Sequence, residues 1–168
     1  MKKAPIKKSA AKKVKPIPEG YHAITPYLSI AGAAAAIDFY KKAFGAKEKL
    51  RMAGPDGKVH HAELKIGDSI VMLADESPQH DFFSPQTRGG TTVGMHLYVK
   101  DCDAVVAAAK AAGAKVTRPV QDQFYGDRSG TLVDPFGHTW NVATHKEELS
   151  KKEMARRAAA AMKQAPAG

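Results

Sequence analysis

Two alternating stretches hold the residues whose types and spacing could do chemistry. His61 and Glu63 stand two apart, and His96 and Tyr98 repeat that spacing. In an extended chain, residues i and i+2 share one face. An imidazole beside a carboxylate can take up and release a proton, so His61 and Glu63 are the candidate catalytic acid/base pair. The competing reading pairs Glu63 with Arg128 or Lys65 and leaves His61 merely polar, since structural ion pairs also resemble sites. Residues 122–128, D-Q-F-Y-G-D-R, crowd Gln123, Tyr125 and Arg128 around Gly126. Arg128 either grips an anionic ligand with its forked guanidinium or locks its own loop through Asp127 or Asp134. With Tyr27 and Asn141, the candidate ligand-binding set is Tyr27, His61, Glu63, His96, Tyr98, Gln123, Tyr125, Arg128 and Asn141. Cys102 opens a helix, where a thiolate would be favoured, but inert buried packing is the better reading. His22, His60, His80 and His145 are read as surface residues.

These side chains need a scaffold. Asp134-Pro135-Phe136-Gly137 is a turn: Pro135 presets φ at the second position, and Gly137 accepts a positive φ. Leu132 and Val133 before it, and Trp140 and Val142 after it, make it the centre of a hairpin. Going back to the start, alternation predicts a strand over 23–30. A helix over 33–44 follows, closed by Gly45. Strands are predicted over 47–52, 59–66 and 69–74, the last two joined by Gly67-Asp68. Residues 76–90 form a long polar loop, of a kind that is usually functional or a link; Phe82 and Phe83 are too apolar to hang free in it. The pattern then restarts: a strand over 92–99, a helix over 101–112, and strands over 115–120, 127–133 and 139–144. Phe44-Gly45-Ala46-Lys47 recurs as Ala112-Gly113-Ala114-Lys115, 68 residues later. A repeat of that length marks two copies of one βαβββ unit. The fold class is therefore α+β, with modules at 21–75 and 91–146 joined by a linker at 76–90. A helix over 147–162 has a weak apolar face.

The chain of 168 residues carries a net charge of +9, but the charge is not spread evenly. Residues 1–16 hold seven lysines and no acid, while 17–145 hold 13 basic and 14 acidic residues. The body is near neutral, and the basicity lies in an arm and linker over 1–20 and a tail over 147–168. The arm reads as disordered and suits weak, salt-sensitive nucleic-acid or other polyanion binding, without any base-reading motif. No apolar run is long enough to span a bilayer and no secretory signal is read, so no membrane role is expected. The single cysteine excludes an internal disulfide, which fits a reducing cytoplasm.

Y-H-A-I-T-P-Y-L, A-A-I-D-F-Y-K-K-A-F-G-A, D-Q-F-Y-G-D-R-S-G-T-L-V-D-P-F-G-H-T-W and A-T-H together resemble the vicinal oxygen chelate superfamily, whose members include glyoxalase I, bleomycin resistance proteins and extradiol dioxygenases. They look like its PhnB-like branch. The resemblance spans about 21–146 and implies two modules forming a curved eight-stranded cup, a small-molecule ligand inside it, and a homodimer. Its metal-dependent members take one ligand from the first and one from the last strand of each module. Carried over, those positions are Thr25, Met72, Gly94 and Asn141. These do not replace imidazole and carboxylate ligands, so no metal and no other cofactor is expected. The polar lining suits a small polar ligand in that cup, and the ligand chemistry of those four positions argues for binding without metal. Two alternatives stay open, a metal-dependent lyase or dioxygenase of the same superfamily and a polyanion-associated protein; separately, His61, Glu63 and His96 could form a different divalent-metal site.

Overall fold

A computed structural model describes residues 14–164. The basic arm of 1–16 lies outside the described residues except for Val14, Lys15 and Pro16, which are exposed coil. The first module is β1 (Tyr27–Ile30), α1 (Ala33–Phe44), β2 (Lys47–Ala53), β3 (Val59–Ile66) and β4 (Ser69–Asp75). The linker holds a 3-10 turn (Pro78–His80) and a short helix, α2 (Pro85–Arg88). The second module is β5 (Gly94–Tyr98), α3 (Cys102–Ala111), β6 (Lys115–Asp122), β7 (Asp127–Val133) and β8 (Thr139–His145); α4 (Lys151–Gln164) follows.

Each module folds into its own four-stranded mixed sheet, ordered β1-β4-β3-β2 and β5-β8-β7-β6. In each, the first strand runs parallel to the last and the other pairings are antiparallel. The registers match position for position. Tyr27 faces Met72 as His96 faces Asn141, and Glu63 faces Met72 as Thr131 faces Asn141. The α+β reading and the repeat therefore hold, as two separately hydrogen-bonded sheets rather than one continuous sheet of eight strands.

Alternation decides which face is buried. Leu28, Ile30, Ala62, Leu64, Ile66, Val71 and Leu73 in the first sheet, and Leu132, Trp140 and Val142 in the second, are buried with the helices in one core. The helices pack on each other between the modules. Gly32 precedes α1 with no capping side chain, so the Asp75 carboxylate accepts from the backbone N–H groups of Gly32 and Ala33, both at 2.9 Å. An anion at a helix N-terminus satisfies donors that the helix leaves unpaired. In the second module Asp101 caps α3 at Ala104 (3.0 Å), and Thr144, at the place of Asp75, accepts from Cys102 N–H at 2.9 Å.

The joint of the molecule is the Asp134-Pro135-Phe136-Gly137 turn. Asp134 Oδ1 accepts from the N–H groups of Phe136 and His138, each at 2.9 Å. Its Oδ2 accepts from Tyr40 Oη at 2.8 Å and Trp140 Nε1 at 2.9 Å. Tyr40 belongs to α1, so one carboxylate of the second module holds the first. His138 Nε2 reaches the Ser29 carbonyl of β1 at 3.2 Å, and Gln86 of the linker donates to the Pro135 carbonyl at 3.2 Å. Modules and linker meet at this turn. Around it Tyr40, Phe44, Phe136 and Trp140 form an aromatic cluster, with Phe44 and Trp140 centroids 4.6 Å apart.

The linker is ordered by local chemistry. Ser84 caps α2 through Thr87 N–H, Phe82 packs on Tyr27 with centroids 5.2 Å apart, and the Arg88 guanidinium lies 4.1 Å over Phe83. Both phenylalanines are thus held, as their apolarity in a polar loop requires.

Candidate functional site

The faces turned away from the helices carry the polar rows. In the first sheet, His61 and Glu63 share their face with Tyr27. The cross-strand partners of Glu63 and His61 are Leu50 and Met52, so those two apolar side chains join the same face. One tautomer satisfies the whole row. Tyr27 Oη lies 3.2 Å from His61 Nδ1, and His61 Nε2 lies 3.3 Å from Glu63 Oε1. With the proton on Nε2, Tyr27 donates to His61 and His61 donates to Glu63. Tyr21 donates to the other oxygen, Glu63 Oε2, in a short hydrogen bond. That bond, followed by the one from His61, holds the Glu63 carboxyl below the usual carboxylate range despite partial burial. Glu63 is therefore an ionised acceptor that orients His61. Its partners are two phenols' worth of hydrogen bonding through Tyr21 and the His61–Tyr27 chain, and not Arg128. The Tyr27 phenol at the open end of this chain is half-exposed.

The second sheet places His96, Tyr98, Ser129, Thr131 and Asn141 on the corresponding face. Thr131 Oγ1 donates to Asn141 Oδ1 at 2.6 Å, and the His96 and Tyr98 rings are 4.7 Å apart. Tyr125 Oη lies 3.4 Å from Ser129 Oγ. Asp127 is 4 % exposed, yet it accepts from two exposed side chains. Tyr98 Oη donates to its Oδ2 at 2.8 Å and His145 Nδ1 to its Oδ1 at 2.7 Å. The hydrogen bond to Asp127 raises the Tyr98 pKa and, outweighing desolvation, the His145 pKa as well. His145 is half exposed but engaged, so reading it as plain surface misses its role.

Arg128 is displaced from the candidate set. Its guanidinium makes a forked pair with Asp103 of α3, Nε at 2.7 Å and Nη2 at 2.8 Å, and reaches Asp122 at 3.2 Å. It locks the loop as the structural reading held, but through Asp103 and Asp122 rather than Asp127 or Asp134. Arg118, whose cross-strand partner is Thr131, is a cation aligned with the polar face. Gln123 sits in the turn before β7, its backbone N–H on the Asp127 carbonyl at 2.7 Å and its side chain on the Gln121 carbonyl at 3.4 Å. Gly126 has φ +95°, and a Cβ there would lie 2.5 Å from the Glu147 carbonyl, so this turn packs under the start of the C-terminal tail. Cys102 is buried, with Sγ 3.2 Å from the Arg128 carbonyl, as expected of an inert thiol.

Within one chain the two polar rows remain separate. The cleft lined by His96 and Tyr98 takes in Ile24, Pro26, Val71 and Trp140, but neither His61 nor Glu63. The four positions at which metal-dependent members carry ligands hold poor donors. Thr25 lies before β1 with its hydroxyl on the His22 carbonyl at 3.3 Å, Met72 offers a thioether, Gly94 offers no side chain, and the Asn141 oxygen is engaged by Thr131. Such a set does not fit a divalent metal. His96 does not join His61 and Glu63 either: among the described residues no three His, Cys, Asp or Glu side chains lie within reach of one ion.

Linkage fixes the effect of His145 on stability. Its folded pKa is raised, so its contribution is fully present below the unfolded value of about 6.5 and is lost as pH rises through the folded value. The stability difference between the wild-type chain and His145→Gln is expected to be largest below about pH 6.5 and to shrink on the alkaline side. Urea melts across that range would show it; a difference that grows with pH would contradict the assignment.

Paired βαβββ modules, each with a helix-facing apolar surface and an opposite polar row, define a two-module sheet protein built to present polar groups on its free faces. A sequence model of the Glyoxalase/Bleomycin resistance protein/Dioxygenase superfamily matches residues 22–142, and the chain belongs to that superfamily. It is 45 % identical over 135 residues to an uncharacterized protein of Mycobacterium bovis, covering 79 % of this chain and 89 % of the relative. An Arabidopsis thaliana protein is 32 % identical over 122 residues, covering 68 % of this chain and 73 % of that one. The crystal structure of an A. thaliana gene product superposes with a TM-score of 0.60 at 30 % identity over 73 % of this chain and 98 % of that one. TioX from a Micromonospora species gives 0.57 at 25 % identity over 73 % and 97 %. Among the described residues no helix is long and apolar enough to cross a membrane.

Proposed function

We propose that this chain is a PhnB-like member of its superfamily that binds a small polar molecule between the polar sheet faces without a resident metal. The folded unit is 21–146, with the 76–90 linker between its modules, and it works in a reducing cytoplasm. The observation that carries the reading is the contrast between the two sets of positions. Thr25, Met72, Gly94 and Asn141 cannot build a metal site, whereas Tyr27, His61 and Glu63 form a hydrogen-bonded row on one sheet, and His96, Tyr98 and Asn141 line up polar groups on the face of the other, Tyr98 held by Asp127 and Asn141 by Thr131. The rows lie apart within one chain, and Tyr27, Leu50, Met52 and Tyr98 on those faces are 42–60 % exposed. A homodimer that brings these faces together would cover that apolar area and close the cup.

Elemental analysis of the purified full-length chain should find nickel, zinc and iron well below one per protomer, with melting unchanged by EDTA. Stoichiometric metal that EDTA removes with a loss of stability would overturn the metal-free reading. Light scattering is expected to give a dimer; a monomer would leave the cup open and defeat the proposal that it closes between chains. In calorimetric titration with a panel of small polar molecules, any ligand of the cup should bind about tenfold more weakly to Tyr27→Phe and to Asn141→Ala, the loss expected for one good hydrogen bond.

A further inference from the structure

A second cleft opens where β1, the linker and the approach to β5 meet, bordering the first polar row at Tyr27 but taking in neither His61 nor Glu63. Its volume is about 840 Å³, within the range of small-molecule sites. Tyr27, Phe82, Phe83, Val93 and Met95 form its walls, and Ser29 and His138 lie among the lining residues. Ser29 is 9 % exposed, and among the described residues its Oγ is the one buried side-chain polar atom without a hydrogen-bond partner. A hydroxyl removed from water and left unpaired destabilises the fold, so in a native protein it requires a reason. Alanine would fit the same place without that cost. The charges at the cleft cancel: Arg88 and Asp81, both lining it, pair with each other at 2.7 Å, and Arg88 also stacks on Phe83. Burial keeps His138 on the neutral side of its ordinary range.

We infer that this cleft binds an uncharged aromatic molecule bearing one hydroxyl or carbonyl group, which pairs with Ser29 Oγ while its ring lies among Tyr27, Phe82 and Val93. The apolar walls select the ring, and the orphan hydroxyl selects its polar substituent. Unlike the cup proposed between two chains, this cleft has all its walls in a single chain.

The probe is 2-naphthol, titrated calorimetrically into the full-length protein. Saturable binding is expected, weakened about tenfold by Ser29→Ala, the loss of one hydrogen bond. Without probe, Ser29→Ala should melt about 2–4 °C higher, because an unsatisfied buried group is removed. Those opposite signs separate a ligand-binding hydroxyl from one that supports the fold: a lower Tm in Ser29→Ala would assign Oγ a structural role and overturn the inference. Val93 is 65 % exposed at the rim, so Val93→Trp should fill the cleft, leave folding intact and abolish binding. Undiminished binding to Val93→Trp, no saturable binding to the wild type, or crystallographic density over His61 and Glu63 instead of between Ser29 and Phe82 would each refute the site without touching the proposal for the cup.

Discussion

Replacing Asp134 by alanine is expected to cost about 4 kcal/mol or more of folding stability, a large share of the 5–15 kcal/mol that holds a typical domain together. The reason is the number of donors left behind. Asp134 is 3 % exposed, and its two oxygens accept four hydrogen bonds, from Tyr40, Trp140, Phe136 N–H and His138 N–H. Tyr40 is fully buried, so its hydroxyl finds no water once the carboxylate is gone. Asp134→Asn should be milder, because its carbonyl oxygen can still serve the two turn N–H groups while its NH2 meets two other donors. Tyr40→Phe removes the α1 half of the link. In a double-mutant cycle the combined loss should fall well short of the sum, because each change already breaks the same bond. Urea unfolding of the four proteins measures this. Strict additivity, or an Asp134→Ala loss below about 1 kcal/mol, would show that the modules are not held together here. The turn that looks like a simple hairpin connection in the sequence is thus the structural joint of the molecule, and its aspartate is excluded from the ligand site by being fully employed.

The sequence shows periodicity well and pairing poorly, and particular residues show why. The bounds of α1, β3 and β7 fall where alternation and glycine signals place them, because burial of one face dictates a period of two or 3.6 whatever lies opposite. The first strand begins at Tyr27 and not at residue 23: Thr25 folds back onto the His22 carbonyl, and pairing with β4 begins at Tyr27. The fifth is trimmed to Gly94–Tyr98 in the same way. The C-terminal helix starts at Lys151, four residues later than its composition suggests. Arg128 could have been placed correctly. It shares parity with Leu132, which the hairpin pattern puts on the buried side, so it faces α3, while Asp127 shares parity with Ser129 and Thr131 on the free face. Tyr21 could not have been found, because it and Glu63 meet across 42 residues of chain. Likewise, the choice of Asp103 as the partner of Arg128 depends on how α3 lies across β7, which no local spacing reports.

Asp127→Asn should cost about 2–3 kcal/mol, the scale of hydrogen bonds to a charged group, and should shift two ionisations that can be followed separately. The Asp127 carboxylate is buried while both of its donors are reachable by solvent, so it acts as an anchor sunk behind two exposed side chains. In the wild type it raises the pKa of Tyr98 and of His145. An amide at that place carries no charge and presents one acceptor to two donors. The His145 pKa, followed by its ring-proton chemical shift in NMR, should drop toward the ordinary histidine value, and the Tyr98 phenol should ionise at lower pH in an ultraviolet titration. Tyr98→Phe, a control for the phenol, should remove that second transition and leave the raised His145 pKa in place. A merely structural aspartate would reduce stability but leave the titration of exposed groups as it was, so an Asp127→Asn protein in which neither pKa moves would exclude the anchoring role. If both move, Asp127 fixes where Tyr98 and His145 stand at the edge of the second sheet. The polar face of the second sheet is then set by a carboxylate that is itself buried.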